Sequence, residues 1–164
     1  MRAYPSVWHP VVEHDGGVVS ENSELNRLGI ARSILLTILA VAFFLAGLAH
    51  FQLADAYAAI VPTWVPAPHF MVLFTGWCEL FGAVALLIPR LRKLTGVMLA
   101  IFVICVFPAN IRQALEHIPF GGHPVGWSFS APRLAFQPVL VWWPLFCTQV
   151  IDWPWGKGAR VLRR

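Results

Sequence analysis

A chain of 164 residues has room for one domain. Charged residues make up only 12%, about half the roughly 25% of soluble proteins, and mean hydropathy is +0.67. That excludes a water-soluble fold, and the net charge of +4 does not mark a nucleic-acid binder, because Lys and Arg stand at the ends of apolar blocks rather than in an aromatic-interleaved patch.

Residues 1–28 hold Pro5, Pro10, Gly16-Gly17, four acids and two arginines without sustained periodicity. This predicts a mobile polar tail that turns helical from about Ser23, with His9 and His14 solvated. No secretory signal is visible ahead of Ile30, so the first apolar run is expected to be retained as a span.

The first predicted span covers about 30–53, flanked by Arg27 and by Arg32, which can snorkel to the interface. Ala42, Ala46, Gly47 and His50 share one helix face, and small residues let backbones approach closely in lipid. His50 is therefore expected to point into the bundle near the far end of the span. Residues 54–68 contain no Lys or Arg, and Pro62, Pro66 and Pro68 exclude a regular helix around them. Tyr57, Trp64 and the aliphatics suggest a loop folded onto the membrane surface as a lid.

The second span, 69–88, carries the one carboxylate that must live inside a membrane. About 20 residues at roughly 1.5 Å each cross a hydrocarbon layer of roughly 30 Å, and Glu79 lies near the middle. A carboxylate there costs about 2.5–3.5 kcal/mol, so it normally faces protein and finds a polar partner. Thr75, Gly76, Gly82 and Ala83 stand three and four residues from Glu79, which places it on the small-residue face, at a helix–helix contact.

Arg90, Arg92 and Lys93 form a basic loop before the third span, about 94–115. Within that span Pro108 leaves a carbonyl near Ile104 in need of another donor, for which Asn110 or a water is available. A Pro- and Gly-rich loop follows over 118–132. The fourth span, about 133–151, places Arg133 and Gln137 on one face. A basic, aromatic tail, 153–164, ends the sequence. With the 90–93 loop in the cytoplasm, only Arg112 and Arg133 of the twelve Lys and Arg fall outside. The positive-inside rule therefore predicts an all-α membrane protein, a four-transmembrane-helix bundle with both termini inside.

This topology gathers His50, Gln52, Asp55, Glu79, Asn110, Arg112, Arg133 and Gln137 toward the outer half of the bundle. An Arg–carboxylate network around a partly solvated pocket satisfies them economically. Two readings stand side by side. In one, Glu79 bonds His50 or Asn110 and only fixes helix register. In the other, His50, Glu79, Asn110, Arg112, Arg133, Gln137 and Asp55 line a pocket for a small amphipathic ligand, such as a quinone head group, or handle protons. No metal site is assigned, since His69, His117 and His123 match no standard ligand spacing. No haem is expected, because only His50 lies well within a span. Cys78, Cys105 and Cys147 each stand alone in a different block and read as small buried residues, a thiol cluster between helices being the alternative.

Ala49-His50-Phe51 with Tyr57, Ile60-Val61-Pro62 and Val65-Pro66 resembles the DoxX family of small four-helix membrane proteins. So do Gly76-x-x-Glu79 with Leu86-Leu87-Ile88-Pro89, then Phe107-Pro108-Ala109-Asn110, and the Arg133…Gln137 pair. The resemblance, running from about residue 33 to 145, implies a four-helix membrane bundle with recurrent polar positions at His50, Glu79, Asn110, Arg133 and Gln137. It also implies an accessory or quinone-contacting subunit of a membrane redox system in a bacterial inner membrane. The partners implied are the lipid bilayer and other membrane oxidoreductase subunits. A homo-oligomer stays open, nucleic acid is not a partner, and no autonomous redox centre or catalytic motif is identified. The alternative is a non-enzymatic assembly factor or scaffold for another membrane protein. A small transporter ranks below both, since four spans without a repeat leave little room for alternating access.

Overall fold

The computed structural model describes residues 15–153, with side chains from Arg27 onward. The expected features of residues 1–14 and 154–164, His9, His14 and most of the basic tail among them, lie outside the described residues. Helix α1 is Asp15–Gln52, α2 Ala54–Ile60, α3 Pro68–Leu87, α4 Arg92–Glu116, α5 Trp127–Ala135 and α6 Gln137–Cys147. Among the described residues there is no strand, only an isolated bridge between Phe120 and His123. Three segments are long and apolar enough to cross a membrane: Arg27–Gln52, Pro68–Leu87 and Arg92–Glu116.

Local chemistry sets where these helices start and stop. Helix α1 begins at Asp15, ahead of the onset expected near Ser23. Nothing after Gly17 breaks the ladder, and extending a formed helix is far cheaper than nucleating one. The lid segment is helical as far as Ile60 and only then irregular, because the proline constraint acts from Val61 onward. Helix α4 runs through Pro108 and closes at His117, which takes a left-handed conformation at φ 50°. Of the expected fourth span, about 133–151, only the end of α5 and all of α6 are helical: α5 starts at Trp127, inside the expected 118–132 loop, and the two short helices part at Phe136. Pro138 has no N–H to offer Leu134 and disfavours helical geometry at Gln137, so the ladder cannot continue. Each piece alone is shorter than a membrane crossing.

The long helices are apolar outside as well as inside. Ile34, Ile38, Val41, Leu45 and Leu48 on α1 are exposed, as are Phe70, Phe74, Trp77, Phe81 and Val84 on α3. Leu94, Met98, Ile101, Ile104 and Leu115 continue the belt on α4. Such a continuous apolar surface is far beyond what a monomer tolerates in water and suits lipid contact.

Helices α1 and α3 pack antiparallel, α4 and α6 pack together, and contacts of α3 with α4 and of α1 with α6 close the ring. One half of this bundle is solid. Leu39, Ala40, Leu86 and Leu99 form one core cluster, and Leu36, Phe146 and Cys147 another. Polar ties lock the same end. Arg32 donates to Asp152 at 2.8 Å with its guanidinium over the Phe146 ring, Trp143 donates to the Leu35 carbonyl, and Arg92 caps the end of α3 at Leu86. Arg32 is thus held by protein instead of snorkelling alone. Gly96 lets α6 approach α4, since a Cβ there would collide with the Thr148 side chain.

The tightest crossing is between α1 and α3. A Cβ on Gly47 would stand 2.9 Å from the Leu80 side chain and 3.0 Å from the Gly76 carbonyl oxygen; one on Gly76 would stand 2.9 Å from His50 Cβ. Gly76→Ala is expected to lower stability by about 1–3 kcal/mol through overpacking. Gly29→Ala, which meets nothing within 4 Å, should not lower it, Ala being the better helix former. Thermal unfolding of the detergent-solubilised variants checks both.

Candidate functional site

The other half of the bundle is hollow. A cavity of about 380 Å³ lies between α1, α3, α4 and α6, covered by α2 and the segment after it. Its walls are mainly apolar, among them Leu39, Phe43, Met71, Val72, Phe102, Val106, Leu140 and Trp143, and a few polar side chains converge on it. That size and composition fit a small-molecule site. Of the predicted pocket residues, His50, Glu79, Asn110, Arg133 and Gln137 all line it.

His50 and Glu79 meet because of the glycine crossing. Each stands three residues after its glycine, and helical side chains lean toward their own N-terminus. In an antiparallel pair the two lean toward one another. His50 Nδ1 lies 2.9 Å from Glu79 Oε2, with both side chains largely buried. It also lies 2.9 Å from the Ala46 carbonyl, which only accepts, so Nδ1 carries the proton. The N–H is aimed at Ala46 and Oε2 receives no aligned bond. The contact is therefore one of proximity, not a directed hydrogen bond, and Glu79, 7% exposed, keeps acceptor capacity at the cavity.

Arg133 reaches the site differently from the expected Arg–carboxylate network. It donates through Nη2 to Asn110 Oδ1 at 2.6 Å and through Nη1 to Gln113 Oε1, and it makes no ion pair among the described residues. Asn110 and Gln113 are three apart on α4, so their amide oxygens form a fork that matches the guanidinium. Gln137 donates through Nε2 to the Val103 carbonyl at 2.8 Å. That carbonyl is one residue before the Ile104 carbonyl that Pro108 deprives of its donor, and Asn110, the donor expected there, turns its amide oxygen to Arg133.

Two predicted residues stand apart from the cavity. Asp55 is fully exposed, 3.7 Å from His69 Nδ1. Arg112 binds both Glu116 oxygens at 3.1 Å and donates to the Val61 carbonyl. Each is two positions from an inward-facing residue, Tyr57 or Asn110, and two positions on a helix are about 200° apart. Arg112 instead ties the segment after α2 down to α4.

Tyr57 and Gln113 are site residues that sequence reasoning did not assign. Tyr57 stacks on His50 with ring centroids 4.0 Å apart and meets Phe120 edge-on at 4.9 Å. Phe120 is carried by a hairpin whose Gly121 and Gly122 have φ of 58° and 82°, a geometry at two successive positions that glycine adopts without strain. Burial and the Glu79 charge push the Tyr57 phenol above its ordinary range, against the pull of Arg133, so it stays a protonated donor. The only sign of Gln113 was its spacing from Asn110. Cys78 is half-buried, Cys105 exposed and Cys147 buried, so only the last matches the expected buried thiol. Among the described residues no three metal-binding side chains gather.

Residues 39–148 match the model of a family described as Domain of unknown function (DUF8561), which covers more than half of the chain and every residue lining the cavity. No curated protein and no solved structure matches.

Arg133→Ala would leave two amide oxygens on α4 without their donor. An unmet buried acceptor costs about 1–3 kcal/mol, so melting in detergent should fall by that order, whereas Arg112→Ala should mainly loosen the segment after α2. Limited proteolysis near Thr63 distinguishes the two.

Proposed function

The chain belongs to the DUF8561 family, and we propose that it is a membrane-embedded, DoxX-like accessory subunit of a bacterial redox system that holds a quinone head group in the cavity. In this reading α5 and α6 together complete a four-segment bundle in the inner membrane. Both termini lie in the cytoplasm, beside Arg27, Arg32, Arg90, Arg92 and Lys93, with Arg112 and Arg133 toward the opposite face.

One observation carries the reading: an apolar cavity of drug-like volume on which a buried carboxylate, an imidazole, an amide pair and a guanidinium converge from different helices. A quinone is flat and apolar with polar atoms at its two ends. Arg133, Asn110 and the Tyr57 hydroxyl offer donors at one wall, and His50 and Glu79 stand at another. The subunit would bind and orient the ring, and the attached oxidoreductase would carry the electrons.

The partner-binding alternative draws on a separate feature. Phe70, Phe74, Trp77 and Phe81 form an exposed aromatic ridge along α3, with Phe51 edge-on to Trp77 at 5.4 Å. Such a ridge suits docking of another membrane helix, as a scaffold would require.

The test is organic extraction of the protein purified in mild detergent, with quinone measured per chain, followed by titration. Wild type should carry quinone. Glu79→Gln should weaken the reduced quinol, whose hydroxyl donates to the carboxylate, about tenfold, the scale of one hydrogen bond involving a charged group. Trp77→Ala should leave quinone unchanged. Absence of quinone from wild type, with loss of a co-purifying subunit in Trp77→Ala, would favour the scaffold.

A further inference from the structure

The cavity has a well-built roof and one weak wall. Over its outer end Tyr57 is sandwiched between His50 and Phe120, Ile60 is 3% exposed, and Arg112 pins the Val61 carbonyl to α4. The seam between α1 and α6 is bridged by Trp143, which lines the cavity while its indole N–H holds the Leu35 carbonyl of α1.

The seam between α3 and α4 is built otherwise. In the solid half it is closed by Leu99 against Gly82, where an added Cβ would meet Leu99 at 2.8 Å. Level with the cavity it is lined by Met71 and Thr75 from α3 and by Cys105 and Val106 from α4. Thr75 turns its hydroxyl back to its own helix at the Val72 carbonyl, and among the described residues no hydrogen bond joins the two helices at this height. Cys105 both lines the cavity and is exposed on the outer surface, within the belt formed by Ile101 and Ile104. One side chain that borders both spaces marks the place where they meet.

We infer that the cavity opens sideways into the lipid between α3 and α4, so that its ligand is a membrane-dissolved molecule whose apolar chain leaves through the Met71–Thr75–Cys105–Val106 window. The inference rests on the ligand-binding reading above and adds the route and the tail. An apolar wall at hydrocarbon depth repels a water-soluble ligand but costs an alkyl or isoprenoid chain nothing, since the chain passes from lipid to an equally apolar lining. The head group then lies under the roof, beside His50 and Tyr57.

The experiment uses the full chain in lipid nanodiscs and two quinones with the same fully substituted ring, which does not alkylate thiols. One is 2,3-dimethoxy-5-methyl-6-decylbenzoquinone, and the other carries a methyl group in place of the decyl chain. Binding is read by quenching of tryptophan fluorescence, Trp64 and Trp143 being in the cavity wall. Cys105→Phe, which crowds the window, should weaken the decyl compound at least tenfold and leave the methyl compound within twofold. In wild type the decyl compound should slow alkylation of Cys105 by N-ethylmaleimide at least fivefold, read by mass spectrometry, and the methyl compound should not. Unchanged decyl binding in Cys105→Phe, or no protection of Cys105 at saturating decyl compound, overturns the window while the binding site stands. If Cys105→Phe weakens both compounds equally, the protection measurement decides. Binding of neither quinone to wild type removes the ligand-binding reading itself.

Discussion

The close backbone contact of α1 with α3 at Gly47 and Gly76 is the constraint on which the site depends. With no Cβ between them, the two helices come near enough for His50 and Glu79 to meet at 2.9 Å. Any larger residue at either position separates the backbones and leaves a carboxylate inside an apolar bundle without its neighbour, an arrangement that membranes penalise. The crossing is local, but its effects extend. It fixes the height of His50, against which Tyr57, and through it Phe120, is stacked.

Helix faces were legible in the sequence, and their pairings were not. The small-residue face of Glu79, the inward direction of His50 and the shared face of Arg133 and Gln137 follow from spacing alone, and all line one cavity. Spacing within one helix cannot say which face of another helix it meets. An Arg–carboxylate network was therefore the natural expectation, yet Arg133 is held by two neutral amides and Glu79 lies beside a histidine. Asp55 and Arg112 were misplaced for a related reason. Nearness in sequence to a span end groups residues by height, whereas 200° of helical rotation sends them to opposite sides. The break at Phe136 is written in Pro132 and Pro138, but apolar composition across 133–151 masks it.

The proteins that α1, α3 and α4 resemble by hydropathy alone are any with spanning helices, so membrane residence and function rest on different observations. Residence follows from the outer surface, where apolar residues recur at helical spacing on all three helices. The proposed function rests on the interior, where five polar side chains converge on one cavity. Arg133 and Gln137 also tie helices together, but a bundle built only to anchor something has little use for His50 and Glu79 beside a void, where apolar residues of similar size often pack as stably.

Most prolines among the described residues lie in the hollow half, Pro89 and Pro144 being the exceptions. Pro62, Pro66 and Pro68 bound the segment over the cavity, Pro108 lies in its wall, and Pro132 and Pro138 flank the break between α5 and α6. Proline removes a ladder donor and prevents the straight, regular surfaces that interdigitate well, so helices carrying it at one level diverge there. Divergence opens a cavity and strips backbone carbonyls of their partners at the same place. Side-chain donors come in at that level, Gln137 on the Val103 carbonyl at the cavity wall and, outside it, Arg112 on that of Val61. The polar lining thus partly serves the backbone, and the groups not so used, Glu79 first among them, are free to recognise something else.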